Sequence, residues 1–219
     1  LDGTLFPYTT LFRSYLDDAC LELVCTSTTH VAPAQSPIAA GKTKFLGNIY
    51  ANHALPESEF IKYFNQVVSE NNGKWGSIEG TRDVFNWTNI DIERQFALAN
   101  NMPYRFHVLL WGSQQPAWLT GLSDEEQIDE ILEWFKGVSE HFSGPNTLEY
   151  VEVVNEALNQ PPIYAPALTS LNTTLGTTPS PYDWVVNAFK LARSYFPAET
   201  KLMINEYRIE NESDRKSVV

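Results

Sequence analysis

Cysteine is almost missing from this 219-residue chain: Cys20 and Cys25 are the two present. They cannot make a disulfide framework, and no Cys/His group has zinc spacing. Positive charge is scarce as well. Fifteen Lys and Arg stand against 27 Asp and Glu, a net charge of −12 with no basic stripe. That excludes a protein built to grip a phosphate backbone, so no nucleic-acid partner is expected. No run nears the roughly 18 apolar residues that cross a bilayer, so no membrane partner is expected either. No glycine-rich phosphate turn follows any predicted strand, which argues against a nucleotide-binding doubly wound sheet.

What is present is a globular composition, 43% apolar and 13% aromatic, with six Trp, ten Tyr and twelve Phe. Aromatic faces beside neutral amides suit a polyol ligand, although most aromatics in any protein are core.

The ends read differently from the middle. Thr4 to Ser14, Thr-Leu-Phe-Pro-Tyr-Thr-Thr-Leu-Phe-Arg-Ser, reads as a translated sequencing-library adapter. The reverse complement of the same DNA reads Asp-Arg-Lys-Ser-Val-Val and then a stop, which is Asp214 to Val219. Residues 1–14 and 214–219 are therefore set aside from fold reasoning, and the natural segment is expected to be cut where a DNA fragment was cut. Residues 15–43 lack a sustained period and are rich in Thr, Ser, Pro and Ala, the composition of a linker or poorly ordered lead-in.

From Lys44 onward short apolar runs alternate with helical periods. Strands are expected at Phe45 to Tyr50, Asn65 to Glu70, Tyr104 to Trp111, Leu148 to Glu156 and Lys201 to Ile209. Helices are expected at Pro56 to Tyr63, Asn89 to Asn101, Asp124 to Phe142 and Tyr182 to Tyr195. The third strand alternates, with His107, Leu109 and Trp111 on one face. In the second helix Ile92, Phe96 and Ala99 carry the apolar spacing. The Asp124 helix has the clearest signals: Ser123 with Glu126 makes a capping box ahead of the stripe Ile128, Ile131, Leu132, Phe135, Val138 and Phe142.

Five strands separated by helices form βα units with right-handed crossovers, hence a parallel sheet. Polar clusters recur just past the strands, where a (β/α)8 barrel keeps its site. The fold class is α/β, an incomplete (β/α)8 TIM barrel with about its first five βα units.

Glu156 closes the apolar run Tyr150-Val-Glu-Val-Val-Asn-Glu. Read locally, it is either a solvated strand-end glutamate or a carboxyl whose charged form is disfavoured by apolar walls, as a general acid needs. His107 and Trp111 share a parity, and each is either packing or cavity wall. Gln114 and Gln115 read hydroxyls or solvate a loop. Glu70, Asn71 and Lys74 are singly an ordinary charged turn. Their recurrence on one edge of the sheet is what raises all of them.

Four segments, Ser69-Glu-Asn-Asn-Gly-Lys-Trp75, His107 to Trp118, Val153-Val-Asn-Glu156 and Leu202-Met-Ile-Asn-Glu-Tyr207, resemble in order the motifs of glycoside hydrolase family 10. Its members are typically retaining endo-β-1,4-xylanases on (β/α)8 barrels, acting without cofactor or metal. The resemblance spans about Lys44 to Asn211, and residues 44–213 are read as a partial catalytic domain. It implies that Glu156 is the general acid/base and that Asn155 holds the sugar hydroxyl beside the scissile bond. Glu70, Asn71 and Lys74 would bind the glycone xylose units, His107, Trp111 and Gln114 would complete the wall, and Tyr207 would lie on the aglycone side. The implied partner is xylan or a xylo-oligosaccharide, bound by a protein that is secreted and monomeric when complete.

The sequence departs from the family at four places. Asn72-Gly73 stand where Glu-Met is usual, Gly112 where His is usual, and Glu206 where Asp is usual. A long Pro/Thr-rich loop fills residues 159–181. The family nucleophile belongs to a strand beyond Lys201 to Ile209, and Glu206 matches another motif. On this reading the chain alone is expected to be inactive and unstable. Two other readings stay open: another (β/α)8 glycosidase such as a cellulase, and a non-catalytic carbohydrate-binding protein on a decayed barrel.

Overall fold

A computed structural model describes residues 37–50, 57–171 and 179–207. Both adapter-like ends, the lead-in as far as residue 36, Pro56 and the middle of the long loop lie outside the described residues. The strands are β1 (Gly47–Tyr50), β2 (Gln66–Ser69), β3 (Tyr104–Phe106), β4 (Tyr150–Asn155) and β5 (Lys201–Asn205). The α-helices are α1 (Glu57–Tyr63), α2 (Trp75–Ile78), α3 (Thr88–Ala99), α4 (Asp124–His141), α5 (Ala165–Thr169) and α6 (Asp183–Tyr195). All strand pairings are parallel, and the sheet order is β1-β2-β3-β4-β5. Sequential parallel neighbours, each reached through helix, make an arc of a βα barrel, as the alternating pattern predicts.

The α4 capping box forms as expected. Ser123 Oγ accepts from the Glu126 N–H at 3.3 Å, and the Glu126 carboxylate accepts from the Ser123 N–H at 2.8 Å. Ile131, Phe135 and Val138 are buried, each worth about 1.5–3 kcal/mol. Trp134 joins them, fully buried, and donates its Nε1–H to the Leu109 carbonyl at 2.9 Å. Its ring lies parallel to Trp75, 5.6 Å away, and to Trp87, 6.1 Å away. This indole column fastens α4 to α2 and to the start of α3.

Two expectations need correcting. In α3 the inward face is not Ile92, Phe96 and Ala99; Ile92 and Ala99 are exposed, while Ile90, Glu93, Arg94, Phe96 and Ala97 are buried. Two charges stand where apolar residues were expected, and both have polar partners waiting. The second correction concerns the third strand, whose ladder stops at Phe106 instead of running to Trp111. The His107–Val108 peptide is cis, and Leu110 bridges Val154. Phe106 pairs with Val151, so four steps on this segment answer three on β4. An extra residue in one strand reverses the faces that follow it. Val108, Leu109 and Leu110 are accordingly all buried, and simple alternation fails.

Candidate active site

The C-terminal ends of β2, β3 and β4 bring the polar clusters together. The turn after β2 is closed by the Gly73 N–H donating to Ser69 Oγ at 2.9 Å and by the Lys74 N–H donating to the Asn71 carbonyl at 3.2 Å. It packs so closely on the end of β3 that a Cβ on Gly73 would stand 2.5 Å from the His107 carbonyl oxygen. This contact accounts for glycine at a position where the family usually has methionine.

Lys74 is only 7% exposed. Its Nζ donates to Asn71 Oδ1 at 2.8 Å and lies 4.6 Å from the centre of the Trp111 ring. Burial lowers the affinity of this amine for its proton, and the charges of Glu70 and Glu156 oppose that effect. The charges of Glu70 and Glu156 thus both act on one desolvated cation.

Glu156 leaves the end of β4 half-buried with φ of 54°, the left-handed region that a non-glycine residue occupies at a cost of about 1–2 kcal/mol. The backbone over-determines it. Its N–H donates to the Asn205 carbonyl at 2.7 Å, and its carbonyl accepts from the N–H groups of Asn159 and Gln160. The carboxylate Oε2 accepts from Trp111 Nε1 at 2.9 Å, so an indole N–H rather than a purely apolar wall faces it. Next to it, Asn155 Oδ1 accepts from Asn205 Nδ2 at 2.7 Å, which orients the Asn155 amide from β5.

His107 and Trp111 do converge, with ring centres 6.3 Å apart, although not by strand parity. His107 Nδ1 meets Glu152 Oε2 at 2.7 Å, and the same carboxylate pairs with Arg105. A carboxylate only accepts, so Nδ1 carries the hydrogen of this bond. Glu152, 1% exposed, is a site residue that sequence reasoning passed over. A lone acid inside the apolar run Tyr150 to Asn155 was the available signal.

Gln114 and Tyr207 stand farther out. Gln114 is exposed with φ of 54°, and its carbonyl accepts from the Gly76 N–H at 3.1 Å. Tyr207 is 39% exposed just past β5. Glu206 is occupied elsewhere. Its carboxylate accepts from the N–H groups of Leu158 and Tyr207 and from Asn159 Nδ2, at 2.7, 2.9 and 2.7 Å.

The departure at Gly112 is tied to the long loop. The Gly112 N–H donates to the Gln160 carbonyl at 3.0 Å, and any Cβ here would collide with the carbonyls of Gln160 and Pro161. Gln115 Oε1 accepts from the Ile163 N–H at 3.3 Å. The first part of the loop is therefore pinned across the end of β3, in the space a larger side chain would need.

Among the described residues one acidic group has metal-like spacing, Glu79, Asp83 and Glu130. Two of its members are already engaged: Glu79 accepts from Trp75 Nε1 and the Asp83 N–H, and Glu130 pairs with Arg82.

Fold and site together define a βα-barrel chain with its acids, amides and indoles gathered at the C-terminal strand ends. Residues 36–219 match the model of glycosyl hydrolase family 10, and the chain belongs to that family. It is 39% identical over 166 residues to the endo-1,4-beta-xylanase B of Cellvibrio japonicus, a match covering 75% of this chain and 25% of that protein. It superimposes with a TM-score of 0.64 on the family 10 structure from Paenibacillus barcinonensis, at 25% identity over 77% of this chain and 52% of that one. Against xylanase 10B of Thermotoga petrophila, solved in complex with xylobiose, the TM-score is 0.57 at 27% identity, covering 75% and 50%. The chain thus spans between a quarter and about half of these three proteins.

Proposed function

We propose that this chain carries the acid/base half of a retaining endo-β-1,4-xylanase site. Glu156 protonates the glycosidic oxygen as the leaving group departs, and then takes a proton from the water that releases the glycosyl-enzyme. Trp111 Nε1–H holds one carboxylate oxygen, and Asn155 presents its amide to the hydroxyl beside the scissile bond. Glu70, Asn71 and Lys74 bind the glycone xylose units, His107 and Gln114 complete that wall, and Tyr207 lies toward the aglycone. The nucleophile is assigned to no residue of this chain, and Glu206, committed to the loop after β4, is not a candidate.

The observation that carries this reading is the contact series Asn71, Lys74, Trp111 and Glu156, which links the ends of β2, β3 and β4 through a 2.8 Å bond, a 4.6 Å cation–ring approach and a 2.9 Å bond. The relatives named as xylanases and the xylobiose complex support xylan as the substrate class.

The test is Glu156→Gln in the whole protein from which this chain comes. Turnover of xylan is expected to fall by about 10²–10⁴, the usual worth of a positioned general acid/base. Product that keeps its anomeric configuration by NMR supports retention. Unchanged turnover, or an inverted product, overturns the assignment. A protein that binds xylo-oligosaccharide with no turnover before mutation is a binding module.

A further inference from the structure

The turn that carries Glu70, Asn71 and Lys74 rests on a buried acid that the mechanism does not use. Glu93, on the inner face of α3, is 1% exposed. Its Oε1 accepts from Asn72 Nδ2 at 2.7 Å, and its Oε2 accepts from the Tyr104 hydroxyl at 2.9 Å. The Ser69 hydroxyl also hydrogen-bonds to it, and Ser69 Oγ in turn receives the Gly73 N–H at 2.9 Å. Glu93 therefore reaches the turn along two routes, through Asn72 and through Ser69.

We propose that Glu93 is a positioning residue for the cleft, fixing the Ser69 to Lys74 turn from beneath so that Glu70, Asn71 and Lys74 meet the sugar in one geometry. The proposal rests on the reading of that turn as the glycone-binding segment.

The ionisable groups facing Glu93 are Tyr104 from β3, Tyr50 from β1 and Glu70 from the turn. None of them is a cation. Arg94, its neighbour on α3, is bonded instead to Asn146, Thr147 and Glu149. Burial without a partner cation pushes the Glu93 carboxyl up to about 7. Asn72 and Tyr104 both donate toward it, so the ionised form is the one that answers both. A proton on Oε1 sets a donor against the Asn72 amide, and a proton on Oε2 forces the Tyr104 hydroxyl to turn from donor to acceptor. The hold on the turn is thus complete above neutrality and loosens below it.

Asn72-Gly73 is the one Asn-Gly pair in the sequence. Labelling the full chain with carbonyl-¹³C asparagine and ¹⁵N glycine therefore isolates the Gly73 amide in an NMR spectrum. The expected result is a Gly73 resonance that titrates with a midpoint near 7, and no such titration in Glu93→Gln. Calorimetry with xylotriose at pH 8 is expected to show affinity about tenfold lower in Glu93→Gln, the scale of one lost bond to a charged group. A Gly73 amide that stays still between pH 5 and 9, or that moves equally in the variant, overturns the inference.

Should Glu93→Gln fail to fold, Tyr104→Phe serves. It removes a donor that favours the carboxylate, so the Gly73 midpoint must rise, and an unchanged midpoint overturns the inference. A Gly73 amide that titrates as expected in a chain that ignores xylotriose supports the hold of Glu93 on the turn and overturns the xylan reading.

Discussion

At the N-terminal ends of the strands a buried charge is fully answered, and at the C-terminal ends it is not. Arg94 is as buried as Glu93, one position before it on α3, yet the two residues point to opposite ends of the sheet. Below, the Arg94 guanidinium donates to Asn146 Oδ1, the Thr147 carbonyl and the Glu149 carboxylate at 3.0, 2.8 and 2.9 Å, and Glu149 also receives the Tyr104 N–H. Above, Glu93 has only neutral donors, and Lys74 has an amide oxygen, a ring face and carboxylates at a distance. The lower end ties α3 to the starts of β3 and β4. The upper end keeps desolvated charges without close ionic partners, which is the state in which a sugar hydroxyl can still be gripped strongly. Barrels in general divide their labour this way, with stability at the bottom and chemistry at the top.

The contrast can be broken from either side. Above, the raised carboxyl of Glu93 sets a pH dependence. Its proton affinity is higher in the fold than in the unfolded chain, so its contribution to stability is complete below about 4.5 and lost as pH rises through about 7. Linkage puts that loss at ~3 kcal/mol, and urea unfolding of wild type against Glu93→Gln across this range should show the component vanish in the variant. Below, Arg94→Leu should lower stability by about 2–3 kcal/mol, reduced from the full cost of a broken buried pair because Glu149 is partly exposed. The affinity of the remaining folded protein for xylotriose should be unchanged. A large loss of affinity in Arg94→Leu would erase the distinction between the two ends. The smallest effect is expected at Gly112→Ala, where the new methyl must displace the backbone of Gln160 and Pro161 at a cost of about 1–3 kcal/mol. Because that loop borders the cleft, the same change should alter discrimination between decorated and plain xylan.

Most of the frame was legible in the sequence because it is written in periods. Alternating apolar runs and helical stripes gave the five parallel strands found among the described residues, and Ser123 with Glu126 marked the start of α4. Two kinds of feature were not legible. One is a charge whose partner is distant in sequence: nothing near Glu93 announces Tyr104 or Asn72, and nothing near Arg94 announces Glu149. The other is an insertion that leaves composition untouched. His107 to Leu110 is as apolar and β-prone as a regular strand, and only pairing with β4 reveals the extra residue. His107 and Trp111 were singled out by a parity that does not survive there, and they meet because the bulged segment still ends beside Glu156. Glu152 was hidden for a related reason, since an acid flanked by valines reads as an interruption until the neighbouring strand supplies Arg105 and His107.

The central claim is that the C-terminal strand ends form a xylan cleft around Glu156, Trp111 and Lys74. Calorimetry on the full chain with xylotriose and cellotriose tests it most directly. The account predicts that xylotriose binds at least about tenfold tighter, a difference of ~1.4 kcal/mol, and that Lys74→Ala abolishes the preference. Equal binding of both sugars, or xylotriose binding indifferent to Lys74→Ala, would contradict it.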